Sequence, residues 1–204
     1  FCSGGDLGEY SNKVQEKGFL DAITPEYRFV QNAAREVAWL ERPSIAAVNG
    51  HALGLGLSIA LACDLRLASS GASFGVPDAL RGYIPLSGLT QWLPRLVGKG
   101  KALEMLFTAE PIDAAEALRI GLINRLVEGK DVMPEAEKLA REIASKAPLS
   151  LSYLKEVVGR GLDLSLEQGM KLEMDLYALL QTTEDRQEGI QAFREKRQPK
   201  FRGL

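Results

Sequence analysis

The longest uncharged apolar stretch of the chain runs from Ala52 to Cys63, and it restricts the possible folds more than any other feature. Its part from Leu57 to Cys63 is apolar on almost every side, which predicts a short helix that is buried all round. The stretch is too short to span a bilayer. Apolar runs at Ser44–Val48 and Leu65–Ala68 flank it and predict buried strands. The order of strand, glycine turn, buried helix and strand predicts a layered α/β core.

Helices dominate the later part of the chain, and residues 131–198 are almost continuously helical in pattern. Asp113 is placed to cap a helix that Gly121 ends. Ser165 and Gln168 have the spacing of a capping box, and Thr183 precedes a further helix. We therefore predict two regions, with a core over residues 1–128 and a helical region over residues 129–204.

Composition excludes several kinds of site. The chain has 25 basic and 27 acidic residues and a net charge of -2, which argues against a broad nucleic-acid surface. It has one histidine, His51, and two cysteines, Cys2 and Cys63. These numbers exclude a multi-histidine metal site, a thiolate zinc site and a disulfide framework. Few cysteines suit a reducing compartment, so we expect a cytoplasmic protein. We also expect no metal, and neither nucleic acid nor membrane as a partner.

Three familiar motifs are incomplete in this sequence. The segment Gly54–Gly56 follows a strand and opens a helix, as in a dinucleotide fingerprint, but the third glycine position is Ile59 and the required acidic residue is missing. The pair Gly98-Lys99 lacks the upstream glycine and the following serine or threonine of a phosphate-binding loop. His51 has no serine in a nucleophile elbow to pair with, so a hydrolase triad is not indicated.

The chain instead has two glycine turns, each at the end of an apolar strand. They are Ser3-Gly4-Gly5 and Gly54-Leu55-Gly56. Glycines after a strand let backbone N–H groups approach a ligand closely. Two converging N–H groups would form an oxyanion hole for a polarised carbonyl or an enolate. The sequence equally allows a pair of ordinary tight turns.

Asp78 is the acidic residue that stands out. It follows Pro77 in a short and otherwise apolar segment over residues 74–80. An acid in apolar surroundings has a raised pKa and can act as a general base. The same residue in the same position can also simply cap a helical turn.

A series of motifs in chain order resembles the enoyl-CoA hydratase/isomerase (crotonase) family. The motifs are FCSGGDL at 1–7, RPSIAAVNG at 42–50, ALG at 52–54, ALACD at 60–64, FGVPD at 74–78, LVGK at 96–99, EALRIGL at 116–122, DRQEGIQAF at 185–193 and EKR at 195–197. The resemblance covers essentially the whole chain. It implies an α/β fold with a crotonase-like spiral of ββα units and C-terminal helices that build a homotrimer or hexamer.

The resemblance also implies a site for an acyl-CoA thioester. The backbone N–H groups of Gly5 and Leu55 match the two donors that hold the thioester oxygen as an enolate. Ser3 and Gly4, which precede the first donor, are expected to contact the substrate. Leucine replaces the usual glycine at the second donor, which a backbone N–H tolerates.

Near the C-terminal end, Phe193 and Lys196 match positions that contact the adenosine end of CoA. The lysine suits a phosphate chemically. No cofactor is implied, because CoA arrives as part of the substrate.

The catalytic positions point to chemistry with a single base. Family hydratases use two glutamates around one water; the first position here is Ser58, which also lines the site, and the second is Asp78. A serine cannot serve as a carboxylate base at neutral pH. A third family position, in the turn at Leu86-Ser87, also holds no acid. We therefore expect enoyl-CoA isomerisation, or a divergent hydration, through Asp78. A family decarboxylase or hydrolase and a non-catalytic CoA-binding or assembly subunit remain alternatives.

Beside the family, a chain of 204 residues is short. We expect that N-terminal residues are missing, including the first strands of the spiral and a loop that lines the CoA site. On this expectation, the polypeptide alone exposes apolar sheet surface and aggregates or binds CoA weakly.

Overall fold

The computed structural model describes residues 1–5, 32–129 and 131–204. The sequence Thr24-Pro25 predicts a helix start, but this position lies outside the described residues. Residues 32–38 are helical. The chain falls into two compact units. The first comprises Phe1–Trp39 and Ser44–Ala136, and the second Leu40–Pro43 and Glu137–Leu204. The division into domains at residue 128 stays a prediction.

The centre of the first unit is a pair of successive strand–strand–helix segments. The elements are β1 (Ile45–Val48), β2 (His51–Leu53), α1 (Leu55–Ala62), β3 (Leu65–Ser69), β4 (Ser73–Gly75) and a 3-10 helix at Pro77–Arg81. Corresponding strands of the two segments pair in parallel, with β1 beside β3 and β2 beside β4. The helical elements therefore follow neighbouring strand ends of one sheet, which brings the residues after β2 close to those after β4.

The rest of the first unit completes two three-stranded sheets. Its elements are α2 (Leu89–Val97), α3 (Lys99–Thr108), β5 (Ile112–Asp113), α4 (Ala114–Arg119) and β6 (Arg125–Val127). The sheet orders are β1-β3-β6 and β2-β4-β5. Cys2 forms a parallel bridge with Ala52, so the first residues of the chain extend the second sheet.

The predicted buried helix and its flanking strands are confirmed. Leu57, Ala60 and Phe74 are fully buried in one apolar core. The helix begins at Leu55, two residues before the predicted start. The three-residue strands β2 and β4 were not predicted, because strands this short carry no readable alternation and are defined by partners distant in sequence.

The helices α7 (Leu166–Leu180) and α8 (Glu184–Glu195) begin directly after the predicted capping residues Ser165 and Thr183. They follow α5 (Met133–Ala144) and α6 (Pro148–Gly161), for which no capping residue was predicted. The Ser165 hydroxyl accepts from the Gln168 N–H at 3.3 Å, and the Gln168 side chain accepts from the Ser165 N–H at 3.1 Å. Thr183 accepts from the Arg186 N–H at 3.2 Å. Asp113 caps α4 in the first unit in the same way.

The α/β class is confirmed by this mixture of paired strands and helices, whereas the complete spiral and the trimerisation role stay predictions. No helix among the described residues is long and apolar enough to cross a membrane. The cytoplasmic location also stays a prediction.

Candidate active site

The second glycine turn joins β2 to α1. Gly54 has φ +51° and ψ -116°, a backbone conformation that side chains rarely allow. Its N–H donates to the Gly75 carbonyl at 3.0 Å, and its own carbonyl accepts from the Ser58 N–H at 3.0 Å. Leu55 is the first residue of α1, so its N–H has no acceptor within the helix. Among the described residues, no other backbone oxygen accepts from it, and this donor is therefore available to a ligand.

The first glycine turn lies directly beside the second. The Cys2 N–H donates to His51 O at 2.9 Å, and the Leu53 N–H donates to Cys2 O at 3.0 Å. A Cβ atom at Gly4 would be 3.2 Å from the Leu53 carbonyl oxygen and 3.9 Å from the Leu55 nitrogen. The two turns that were singled out in the sequence are therefore neighbours in space.

Gly56 makes this proximity possible. A Cβ atom at residue 56 would be 2.0 Å from the Cys2 carbonyl oxygen, a separation that no real Cβ contact shows. The helix can approach the first residues of the chain only because residue 56 has no side chain.

Asp78 lies over the second glycine turn. Its side chain belongs to the 3-10 helix, whose N-cap is Val76, so Asp78 is not the capping residue. It is 9% exposed, and its Oδ2 atom is buried with no hydrogen-bond partner among the residues described. This Oδ2 atom is 3.6 Å from where a Cβ would be at Gly54. Burial raises the pKa of the Asp78 carboxyl, and its own N–H and the Arg81 charge oppose part of the rise. A carboxylate with these properties is suited to accept a proton.

Ser58 lies one turn into α1 and is fully buried. Its hydroxyl oxygen is 3.3 Å from both the Gly54 and the Leu86 carbonyl oxygens, towards which it donates. A hydroxyl has a single proton, so these two acceptors occupy it. Ser58 thus links the glycine turn to the loop before α2.

The remaining predicted residues are Ser3, Gly5, Phe193 and Lys196. Ser3 and Gly5 are exposed, and a Cβ at Gly5 would meet no atom within 4 Å. Phe193 and Lys196 belong to the second unit, where Phe193 is 85% exposed and Lys196 ends α8 with φ +55°. The first unit thus brings together four of the predicted residues, namely Gly4, Leu55, Ser58 and Asp78.

Arg66 is a notable residue that sequence reasoning missed. It lies on β3, is 4% exposed, and donates hydrogen bonds to three backbone carbonyl groups. The available signal was a single cation inside the apolar run Leu65–Ala68. Within the described ranges, no group of three or more His, Cys, Asp or Glu side chains is placed to hold a metal ion.

Comparisons with known proteins agree on one family. The family model described as enoyl-CoA hydratase/isomerase matches residues 1–203. A crotonyl-CoA hydratase of Syntrophomonas wolfei is 43% identical over 98% of this chain and 75% of its own length. A short-chain-enoyl-CoA hydratase of Clostridium acetobutylicum is 40% identical over 97% of this chain and 74% of its own.

A solved structure shows the same fold. The crystal structure of an enoyl-CoA hydratase from Bacillus anthracis is 36% identical and superposes with a TM-score of 0.94, covering 100% of this chain and 77% of that one.

Proposed function

The chain belongs to the enoyl-CoA hydratase/isomerase family, and from this membership we propose that it acts on acyl-CoA thioesters through an enolate. The observation that carries the proposal is the buried Oδ2 of Asp78, which has no hydrogen-bond partner among the described residues and lies beside the Gly54 turn. In this proposal, Asp78 is the base, and the N–H groups of Gly5 and Leu55 hold the thioester oxygen.

The first step requires that negative charge on the thioester oxygen be stabilised. Removal of a proton from the carbon next to a thioester places charge on that oxygen. Preorganised N–H donors stabilise such a charge in a site that excludes water. The Leu55 N–H is at the positive end of α1, which adds to the effect.

Double-bond isomerisation needs only one base. Asp78 would take a proton from C2 of a 3-enoyl thioester, and the electrons of that C–H bond would form a dienolate. The same carboxyl group would return the proton to C4, which leaves the double bond between C2 and C3. The hydroxyl of Ser58 is occupied by two carbonyl groups, which supports a mechanism that uses no second acid at that position.

Hydration is the second candidate, and the names of the two hydratase relatives favour it. Water would add across the C2–C3 double bond of a 2-enoyl thioester. Asp78 would take a proton from the water as the water oxygen bonds to C3, and the resulting enolate would receive a proton from Asp78 at C2. Both candidates pass through a thioester enolate, a dienolate in isomerisation and a 3-hydroxyacyl enolate in hydration, and the same two N–H donors would hold its oxygen.

CoA recognition and assembly complete the proposal. We assign Phe193 and Lys196 to the adenosine end of CoA, for which the lysine ammonium offers a phosphate partner.

Neither α6 nor α7 has a buried residue, although together they carry several large apolar side chains. The exposed members on the two helices are Leu154, Val158, Leu166, Met170, Met174, Tyr177 and Leu179, and Leu162 directly after α6 is exposed as well. Exposed apolar surface of this kind marks association sites, and we propose that copies of this chain cover it in a trimer or hexamer.

Absorbance at the enoyl-thioester band tests the function. Wild type, Asp78→Asn and the surface control Asp131→Asn would be given 3-enoyl-CoA and 2-enoyl-CoA of several chain lengths. Appearance of the band from 3-enoyl-CoA, lost only in Asp78→Asn, would support isomerisation. Loss of the band from 2-enoyl-CoA with the same dependence would support hydration.

Product masses separate the other family reactions. Free CoA with a carboxylic acid indicates a hydrolase, and a product lighter by carbon dioxide indicates a decarboxylase. Equal acyl-CoA binding by wild type and Asp78→Asn without any turnover would overturn the proposal in favour of a non-catalytic binding subunit.

A further inference from the structure

Arg66 is a buried cation at the C-terminal end of α1. Its Nη1 atom donates to Cys63 O at 2.6 Å and to Ala60 O at 3.4 Å. Its Nε atom donates to Leu122 O at 2.8 Å. One guanidinium therefore fastens the end of α1 to the chain that follows α4.

The helix lacks charges of its own at both ends. Its first turn contains no acidic residue and its last turn no basic one, and no side chain caps its N-terminus. The last carbonyl groups of a helix carry partial negative charge and need donors. Arg66 supplies both the donors and the cation from the neighbouring strand β3.

The positive charge of Arg66 is not cancelled by a contacting acid. All hydrogen bonds of its guanidinium among the described residues go to backbone carbonyl oxygens. Asp64 attracts it electrostatically, but the Asp64 carboxylate is itself held by the N–H and the hydroxyl of Ser44 at 2.7 and 3.0 Å. The field of a buried cation is screened less than that of an exposed one and therefore acts over longer distances.

We propose that Arg66 is a positioning residue for the oxyanion site at the opposite end of α1. It fixes the helix so that the Leu55 N–H meets the thioester oxygen, and its charge adds to the positive potential there. This inference rests on the proposed function. A helix of this length rises about 12 Å, and a unit charge at that distance changes the stability of an oxyanion roughly tenfold at the effective dielectric constant of proteins.

The test compares Arg66→Met and Arg66→Lys with wild type. The matched control is Arg125→Met, which removes an exposed arginine from β6 in the same sheet. The first measurement is the red shift of a dienoyl-CoA chromophore on binding, because polarisation of its carbonyl group moves the absorbance. The second measurement is of kcat and KM, each determined separately.

Arg66→Met is expected to reduce the red shift and to lower kcat by about tenfold, with KM changed less than twofold. Arg66→Lys keeps a charge but not the fork of donors, so its values should lie between those of Arg66→Met and wild type. Arg125→Met should match wild type. If Arg66→Met does not fold, the lysine variant decides, since it too must show a smaller red shift and a lower kcat.

Unchanged red shift and kcat in a folded Arg66 variant would overturn the inference and leave a purely structural role. Failure of the proposed function has a different signature. In that case wild type itself shows neither a red shift with dienoyl-CoA nor turnover that depends on Asp78.

Discussion

The carboxylate of Asp78 lies against the backbone of Gly54, with Oδ2 3.6 Å from the position of a Cβ at residue 54. Gly54 immediately precedes Leu55, the proposed donor to the thioester oxygen. The base and the donor are therefore held together by one turn. The turn keeps this geometry because residue 54 has no side chain.

Gly54→Ala should disturb this arrangement. The φ of +51° places an alanine in a strained backbone conformation, at a cost of roughly 1–3 kcal/mol. We expect a lower thermal midpoint and a fall in kcat beyond what partial unfolding explains. Gly100→Ala is the control, because residue 100 lies in α3 with open space around it and should keep or gain stability. Equal midpoints and activities for the two variants would contradict the role of Gly54.

The pH dependence of turnover should report the buried carboxyl. A base works only when ionised, and burial raises the pKa of Asp78 above its ordinary value of 3.8. On acidification, activity should therefore begin to fall at a higher pH than it would if the base were an exposed aspartate. The Arg81 charge lowers this pKa, so Arg81→Gln should move the acid limb of kcat/KM further upward. Arg95→Gln, which removes an exposed arginine from α2, should leave the limb in place.

The same carboxyl should reduce the stability of the fold at neutral pH. The pKa of Asp78 is higher in the folded than in the unfolded protein, so protonated Asp78 stabilises the fold. This contribution is complete at a pH below the unfolded-state pKa and is lost as pH rises through the folded-state pKa. Asp78→Asn cannot ionise and should unfold at a higher temperature than wild type at pH 7–8. Removal of the buried unpaired charge should increase the free energy of unfolding by about 1 kcal/mol. This increase corresponds to a rise of about 2–4 °C in the unfolding temperature.

The difference should shrink as pH falls towards 4, because the wild-type carboxyl becomes neutral. Asp131→Asn removes an exposed acid and should show no such gain at any pH. A less stable Asp78→Asn at pH 8 would be inconsistent with a destabilising carboxylate at residue 78.

Gly56→Ala tests the contact between the first residues of the chain and α1. A methyl group there would overlap the Cys2 carbonyl oxygen, with a separation of 2.0 Å. Residues 1–5 must then move away from the helix, which separates the two proposed donors. We expect kcat/KM to fall by at least about tenfold through loss of one donor. Gly71→Ala, at an exposed position with no atom within 4 Å, should retain wild-type activity.

The apolar surface of α6 and α7 should decide the oligomeric state. Met174 is 66% exposed on α7, and a glutamate there would place a charge in the proposed interface. Light scattering after size-exclusion chromatography should show an oligomer for wild type and smaller species for Met174→Glu. Gln187→Glu adds the same charge to α8 and should remain oligomeric. A monomeric wild type would remove the support for self-association.

Local features of the fold were predictable because they depend on neighbours in sequence. The capping residues Asp113, Ser165 and Thr183 bond to backbone groups three residues away. The buried helix α1 was recognisable because its apolar residues leave no polar face. Its start was predicted two residues late, since the turn at Gly54 depends on a hydrogen bond to Gly75.

The sequence by itself therefore determined the α/β class, the starts of the three helices that follow Asp113, Ser165 and Thr183, and the residue types available for chemistry. Only the tertiary structure decided that Asp78 is buried against Gly54 and that Ser58 is occupied by the Leu86 carbonyl. It also decided that Arg66 closes the end of α1. Hydrogen bonds within one helical turn form wherever the chain is helical, whereas burial and pKa depend on groups brought together from distant parts of the chain by the packed core.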